Sequence, residues 1–164
     1  MSVSEPSSAR KDVLPAFEYF RDELDDHNDR RERLIKNSRD VTNLSKKIIF
    51  LLHRLMTEDL PQSSADAADQ DDRRRALRAA ARAREKLKEV QRLFASIRPE
   101  LVGDHFWHYQ RNVSPGLQEY IEALSFTHYL ETGTLISFAE VQKSISDEDG
   151  VPVRPSASGS ALPS

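Results

Sequence analysis

The feature that most constrains the fold of this chain is a long stretch without glycine or proline, between Pro15 and Pro61. Proline is tolerated in a first helical turn, and the residue before a proline disfavours helix. The stretch therefore predicts one helix from Pro15 to about Glu58, roughly 66 Å long at 1.5 Å per residue. A single small domain does not need such a rod for its own core. The chain is thus predicted to form a layered helical bundle or part of an assembly.

Apolar residues along this first helix recur at alternating steps of three and four, which predicts a heptad-like seam. The helix becomes more apolar after Val41, so its second half is predicted to be the more buried half. The seam positions are Phe17, Phe20, Leu24, His27, Arg31, Leu34, Ser38, Val41, Ser45, Ile48, Leu52 and Leu55.

Three further helices are predicted downstream. The second starts after Asp71-Asp72 and ends near Ile97, and its predicted apolar stripe is Leu77, Ala80, Ala81, Leu87, Val90, Phe94 and Ile97. The third covers roughly residues 104–130, where Pro115 predicts a kink or a restart and Gly133 a stop. Ser137-x-x-Glu140 is a capping box, and it predicts a short fourth helix that ends near Ile145.

The domain organisation follows from these helices and from composition. A helical domain over residues 13–146, interrupted by a loop at 61–72, is predicted between a flexible tail at 1–12 and a disordered end at 147–164. The sequence has no cysteine, which excludes disulfides, thiolate zinc sites and cysteine nucleophiles. Its longest apolar run, residues 48–52, is far shorter than the roughly 20 residues of a membrane span. A polar N-terminus without a signal-peptide core predicts an intracellular protein.

Glu119 and Glu122 are the only two acidic residues of the segment 117–130. A spacing of three places both on one face of the third helix, opposite the predicted buried stripe of Leu117, Ile121, Leu124 and His128. One turn further that face carries Phe126, Tyr129 and Leu130, so it is predicted to become apolar. Two like charges on such a face repel each other, and a hard cation such as Mg²⁺, Mn²⁺ or Ca²⁺ would relieve the repulsion.

The alternative for this acidic pair is that both carboxylates lie at the bundle surface and bind nothing, since Glu-x-x-Glu is common in helices. A metal site normally needs a third carboxylate, and the nearest candidates in the sequence are Asp104, Glu131 and Glu140. His105 and His108 are also three residues apart. Packing beside Trp107 and Tyr109 is favoured for them over metal binding.

A basic run on the second helix suggests contact with phosphate. Arg74, Arg78 and Arg82 fall at steps of four, which predicts a ridge that could bind nucleic acid. The alternative is a solvated face of an alanine-rich helix, where arginine is a good helix former.

Three segments, in this order, resemble the translin family. They are residues 39–54, which begin Arg39-Asp40-Val41-Thr42; residues 116–126, which contain Gln118-Glu119-Tyr120-Ile121-Glu122-Ala123; and residues 135–141. The second segment resembles the catalytic partner of translin rather than translin itself.

The resemblance implies an all-α fold, a translin-like antiparallel helical bundle with a very long first helix, that assembles with translin into a closed hetero-oligomeric shell. It implies a cytoplasmic and nuclear protein that binds single-stranded RNA and DNA. It further implies a Mg²⁺-dependent (or Mn²⁺-dependent) endoribonuclease that removes passenger strands in RNA silencing and processes tRNA precursors. The family's catalytic, metal-binding glutamates map onto Glu119 and Glu122.

Two elements of the family have no counterpart in this sequence, namely its last helices and the segment with its third catalytic acid. The sequence resembles the N-terminal half to two thirds of a family member, so we expect the chain alone to have low stability and little or no nuclease activity. The alternative hypothesis is a non-catalytic helical module that binds nucleic acid or translin. No membrane partner is expected.

Overall fold

The computed structural model describes residues 7–57 and 65–146 of the chain. These residues form α1 (Ser7–Thr57), α2 (Ala65–Ile97), a 3₁₀ turn (Arg98–Leu101), α3 (His105–Thr132) and α4 (Phe138–Ile145). The described residues contain no strand, which confirms the predicted all-α fold with a very long first helix. Within these ranges no helix combines the length and the apolarity that a membrane crossing requires.

Two helices begin earlier than the sequence predicted. α1 starts at Ser7 and includes Pro15, so residues 7–12 of the predicted tail are helical. α2 starts at Ala65, so residues 65–72 of the predicted loop are helical. In α2 no glycine or proline intervenes between Ala65 and Asp72, and alanine is a good helix former; in α1 the helix extends through Pro15, which removes one backbone donor without ending it. The remaining predicted tail, loop and disordered end lie outside the described residues, at 1–6, 61–64 and 147–164.

The chain divides into two compact units, Met1–Arg33 and Leu34–Ser164. The described part of the first unit is the first half of α1. Its large apolar side chains are exposed, with Phe17, Phe20 and Leu24 each at least 60% accessible. Arg30 donates to the carboxylate of Asp26 one turn before it, an ion pair that supports the helix locally.

The second unit contains the core, and it begins where the seam of α1 becomes buried. The seam positions Leu34, Ser38, Val41, Ser45, Ile48 and Leu52 are all buried, as the sequence predicted for this half. Opposite them α2 buries Ala76, Ala79, Ala80, Ala83, Leu87, Val90, Phe94 and Ile97. Leu77 and Ala81 of the predicted stripe are exposed instead, because the small side chains at 76, 79 and 83 form the close-packed face.

Successive helices of the second unit run in opposite directions. Along α2 and α3, Phe94 stacks edge-on against Tyr120, while Arg73 lies beside Leu130, so these two helices are antiparallel. Between α1 and α3, contacts advance together along both helices, from Ser38 with Gly116 to His53 with Phe126, so this pair is parallel. The antiparallel bundle implied by the resemblance is therefore present.

The remaining local signals behave as predicted, with one exception. Gly133 adopts φ 74° and caps α3, and Ser137 and Glu140 form the capping box of α4. α3 does not restart at Pro115 but continues through it. The Gly116 N–H that follows donates to the Ser38 hydroxyl of α1 at 3.1 Å, so tertiary packing stabilises the helix at this point.

Candidate metal and nucleic-acid site

Close approach of α1 and α3 positions the acidic pair. A Cβ at Gly116 would lie 2.9 Å from the Ser38 carbonyl oxygen, so the helices contact each other here through backbone. One turn further along α3, Glu119 faces the α1 side. Its Oε1 lies 3.4 Å from Nζ of Lys46, and its side chain is 25% accessible. Glu122 is exposed on the next turn of α3.

The structure corrects the predicted surroundings of this pair. On α3 the buried face consists of Gly116, Tyr120, Ala123, Leu124, Thr127 and their neighbours, whereas Leu117 and Ile121 are half-buried. Tyr129, predicted to make the acidic face apolar, is 52% accessible. The buried face is rotated from the predicted stripe, because small residues on α3 allow close packing and Tyr120 and Leu124 lie in the core beside them. Burial therefore does not force the two carboxylates together.

None of the three carboxylates considered as a third metal ligand joins the acidic pair, since two of them bond to other residues and one is exposed before α3. Glu131 accepts two hydrogen bonds from Arg84, at 2.8 and 2.5 Å. Glu140 accepts from the hydroxyl and the backbone N–H of Ser137, and these bonds hold the pKa of Glu140 below its usual range. Asp104 is exposed before α3 and makes no capping bond. Over residues 7–57 and 65–146, no three carboxylate or imidazole groups come close enough to hold a metal ion.

Of the two histidines, His105 adopts the packing role that the sequence favoured. The ring of His105 stacks on Tyr109, with ring centroids 6.5 Å apart. His108, one turn further along α3, is exposed.

The arginines of α2 divide into a structural group and an exposed group. Arg73 donates to the carbonyls of Leu130 and Glu131, which ties α2 to the C-terminal end of α3. By contrast, the predicted ridge of Arg74, Arg78 and Arg82 is exposed along its whole length. Arg74 forms an ion pair with Asp71 at 3.2 Å. The ridge is therefore present as a surface, and its binding of nucleic acid stays a prediction.

A second basic feature was missed by sequence reasoning. A groove of about 520 Å³ runs between α1 and α3 of the second unit. It is lined by Ile35, Ser38, Arg39, Thr42, Asn43, Arg111, Asn112 and Pro115. Arg39 and Arg111 are far apart in the sequence, and no local pattern links them. The only sequence signal that pointed to this groove was the presence of Arg39 in the Arg-Asp-Val-Thr segment.

Comparison with known proteins identifies the family. A family model described as the translin family matches residues 29–157. Translin-associated protein X of Mus musculus is 37% identical over 144 residues, which cover 85% of this chain and 43% of the mouse protein. The protein of that name from Pongo abelii is 38% identical over 133 residues, or 81% of this chain and 41% of the relative. A homolog of translin-associated protein X from Schizosaccharomyces pombe is 33% identical over 124 residues, which cover 74% of this chain and 47% of the homolog.

The chain thus spans less than half the length of these relatives. The family match, over residues 29–157, includes all three segments that carry the sequence resemblance. The resemblance is confirmed, and the chain belongs to the translin family.

Proposed function

We propose that this chain is part of a catalytic subunit that associates with translin, binds single-stranded RNA and DNA, and cleaves RNA with Mg²⁺ or Mn²⁺. Association with translin rests on the name of the relatives, translin-associated protein X. The observation that carries the catalytic part is the position of the two glutamates on successive turns of α3, where Glu119 contacts Lys46 of α1 and Glu122 is exposed.

The donor atoms of this pair suit a hard divalent cation. Mg²⁺ prefers oxygen ligands, and in phosphoryl-transfer sites it is often held by one or two carboxylates with phosphate and water completing its coordination. Glu119 and Glu122 would hold the ion, and both are accessible to a nucleic-acid phosphate. When bound, such an ion supplies Lewis-acid catalysis and a water of lowered pKa for attack on a phosphodiester.

Lys46 has a positioning role in this proposal. Its ammonium lies 3.4 Å from Glu119, and both side chains are partly solvated, so the ion pair contributes little to stability. Its effect is instead to balance one of the two negative charges while no cation is bound. If the two glutamates held a divalent cation, the Lys46 ammonium would be available to an incoming phosphate.

A second candidate function is a non-catalytic module that binds nucleic acid or translin. The observation that favours it is the absence of a third acidic or imidazole group beside the pair within the described ranges. Under this hypothesis the two glutamates are ordinary surface residues of α3.

The experiment that separates the two functions is Glu119→Gln combined with Glu122→Gln in the full-length subunit, reconstituted with translin. The proposal predicts that RNA cleavage falls at least 100-fold, by analogy with the roughly 10²–10³ cost of removing one transition-state-stabilising group. Assembly and RNA binding should remain. The matched control is Glu85→Gln with Glu89→Gln, two exposed acids of α2. Cleavage equal to wild type in the first variant would establish the non-catalytic function.

A further inference from the structure

The groove between α1 and α3 has the composition of an anion site. Its charged lining residues are Arg39 and Arg111, one from each helix, and both are cationic. The uncharged polar residues around them include Thr42, Asn43 and Asn112, which offer hydroxyl and amide donors. The groove is therefore positive and rich in donors, although the chain as a whole has a net charge of −3.

The two groove arginines also differ from most arginines of the second unit in their partners. Arg73, Arg75 and Arg84 each bond to a carbonyl or a carboxylate. Among the residues that the structure describes, no carboxylate lies within ion-pair distance of Arg39 or Arg111. Both side chains are exposed, so neither is required to stabilise the core. A guanidinium pair without internal partners is suited to receive a phosphate, which it can bind with two parallel N–H···O bonds.

We propose that Arg39 and Arg111 form a backbone-phosphate site for single-stranded nucleic acid, in line with the acidic pair of α3. This inference rests on the proposed function, because it places the site on the path of the strand that Glu119 and Glu122 would cleave.

The helix geometry sets the distance between the two sites. Arg111 and Glu122 are separated by about three helical turns, so they lie on nearly the same face of α3 and roughly 16 Å apart along its axis. Arg39 and Lys46 are two turns apart on α1, which runs parallel to α3. A stacked single strand advances about 3.4 Å per nucleotide. The phosphate held by the arginines is therefore about three to five nucleotides from the phosphate beside the acidic pair.

The test measures binding of a fluorescein-labelled single-stranded RNA by anisotropy, over a series of NaCl concentrations. The protein is the 164-residue chain mixed with translin. Arg39→Gln combined with Arg111→Gln should make the plot of log K against log [salt] less steep by roughly 0.7, the change expected for the loss of one phosphate contact. The matched control, Arg31→Gln with Arg92→Gln, removes two exposed arginines outside the groove and should keep the wild-type slope. Circular dichroism verifies that both variants retain their helices.

Each outcome of this experiment is decisive. A shallower slope in the groove variant alone supports the phosphate site. Equal slopes in wild type and the groove variant overturn the site and leave the proposed function intact, whereas absence of RNA binding by the wild-type mixture overturns both. Equal losses in the groove variant and the control also overturn it, because charge anywhere would then suffice. Inorganic phosphate at the concentration of the RNA phosphates should not displace the RNA; displacement at that concentration would identify a free-phosphate site instead.

A second measurement tests the position of the site. Neutral methylphosphonate linkages are introduced one at a time along the RNA, and binding is compared for wild type and the groove variant. In wild type, the linkage three to five nucleotides from the cleaved bond should weaken binding; in the groove variant the same linkage should have no further effect, since the contact is already absent. Additive losses at every linkage would overturn the assignment.

Discussion

Gly116 has no side chain, and this allows α1 and α3 to approach each other closely. A Cβ there would lie 2.9 Å from both the carbonyl oxygen and the hydroxyl of Ser38, and the carbonyl cannot move aside as a flexible side chain can. Gly116→Ala should therefore destabilise the fold by about 1–3 kcal/mol, the usual cost of overpacking. The midpoint of urea unfolding, followed by circular dichroism, measures this change.

The neighbouring exposed position provides the control for Gly116. Pro115→Ala adds no atoms at the helix contact and restores a backbone donor, so its unfolding midpoint should be unchanged or higher. An unchanged midpoint for Gly116→Ala would mean that α1 and α3 are further apart than the structure has them.

Tyr120 links three helices through one buried hydroxyl. It donates to the Ser144 hydroxyl at 2.9 Å and accepts from the Gln91 amide at 3.0 Å. Burial raises the pKa of Tyr120 above its ordinary value near 10, although its two hydrogen bonds and the charge of Arg84 oppose the shift. The folded state therefore keeps this proton when the unfolded state has lost it.

The sign of the pH dependence follows from this raised pKa. The contribution of Tyr120 to stability is complete below pH 10 and is lost as the pH rises from there through the folded-state pKa. Tyr120→Phe should cost roughly 1 kcal/mol at neutral pH through the lost hydrogen bonds. It should also reduce the fall in stability above pH 10, whereas Tyr129→Phe, at an exposed position, should not. Identical alkaline profiles for wild type and Tyr120→Phe would contradict the assignment.

At the scale of the element, α2 carries two kinds of arginine: some bond to groups on α3, and others are exposed and available to a ligand. Replacing Arg74, Arg78 and Arg82 with glutamine should make the salt dependence of RNA binding less steep by roughly 2 if the whole ridge contacts phosphate. Asp71→Asn should act in the opposite direction, because it releases Arg74 from its ion pair. Salt slopes equal to wild type in both variants would establish the ridge as a solvated face.

The helices also show which sequence patterns were sufficient to predict a buried face. The seam of α1 was predicted correctly from Leu34 to Leu52, because large apolar residues at heptad spacing leave one choice of buried face. On α3 the same reasoning selected Leu117 and Ile121, but the structure buries Gly116, Ala123 and Thr127 more completely. Small residues determine how closely helices approach each other. A search for large apolar residues at helical spacing does not identify these small residues as buried.

At the scale of the whole molecule, the candidate site was predictable in part. Glu119 and Glu122 were identified from their spacing and from the family block, and both lie where a ligand can reach them. Lys46 and the Arg39–Arg111 groove depend on the packing of α1 against α3, which joins residues far apart in the sequence. The first unit, with Phe17 and its apolar neighbours exposed, likewise shows that the predicted seam is buried only from Leu34 onward.

Metal binding by the acidic pair of α3 should be coupled to the stability of the whole fold. If Glu119 and Glu122 hold Mg²⁺ in the folded chain, adding the ion at ten times its Kd should raise the free energy of unfolding by about 1.4 kcal/mol. Glu119→Gln with Glu122→Gln should abolish that increase, and the exposed pair Glu85→Gln with Glu89→Gln should keep it. Thermal unfolding at constant ionic strength measures the effect without reference to nuclease activity. An equal increase in all three proteins would mean that Mg²⁺ acts through general screening, and the acidic pair of α3 would then be a surface feature without a bound ion.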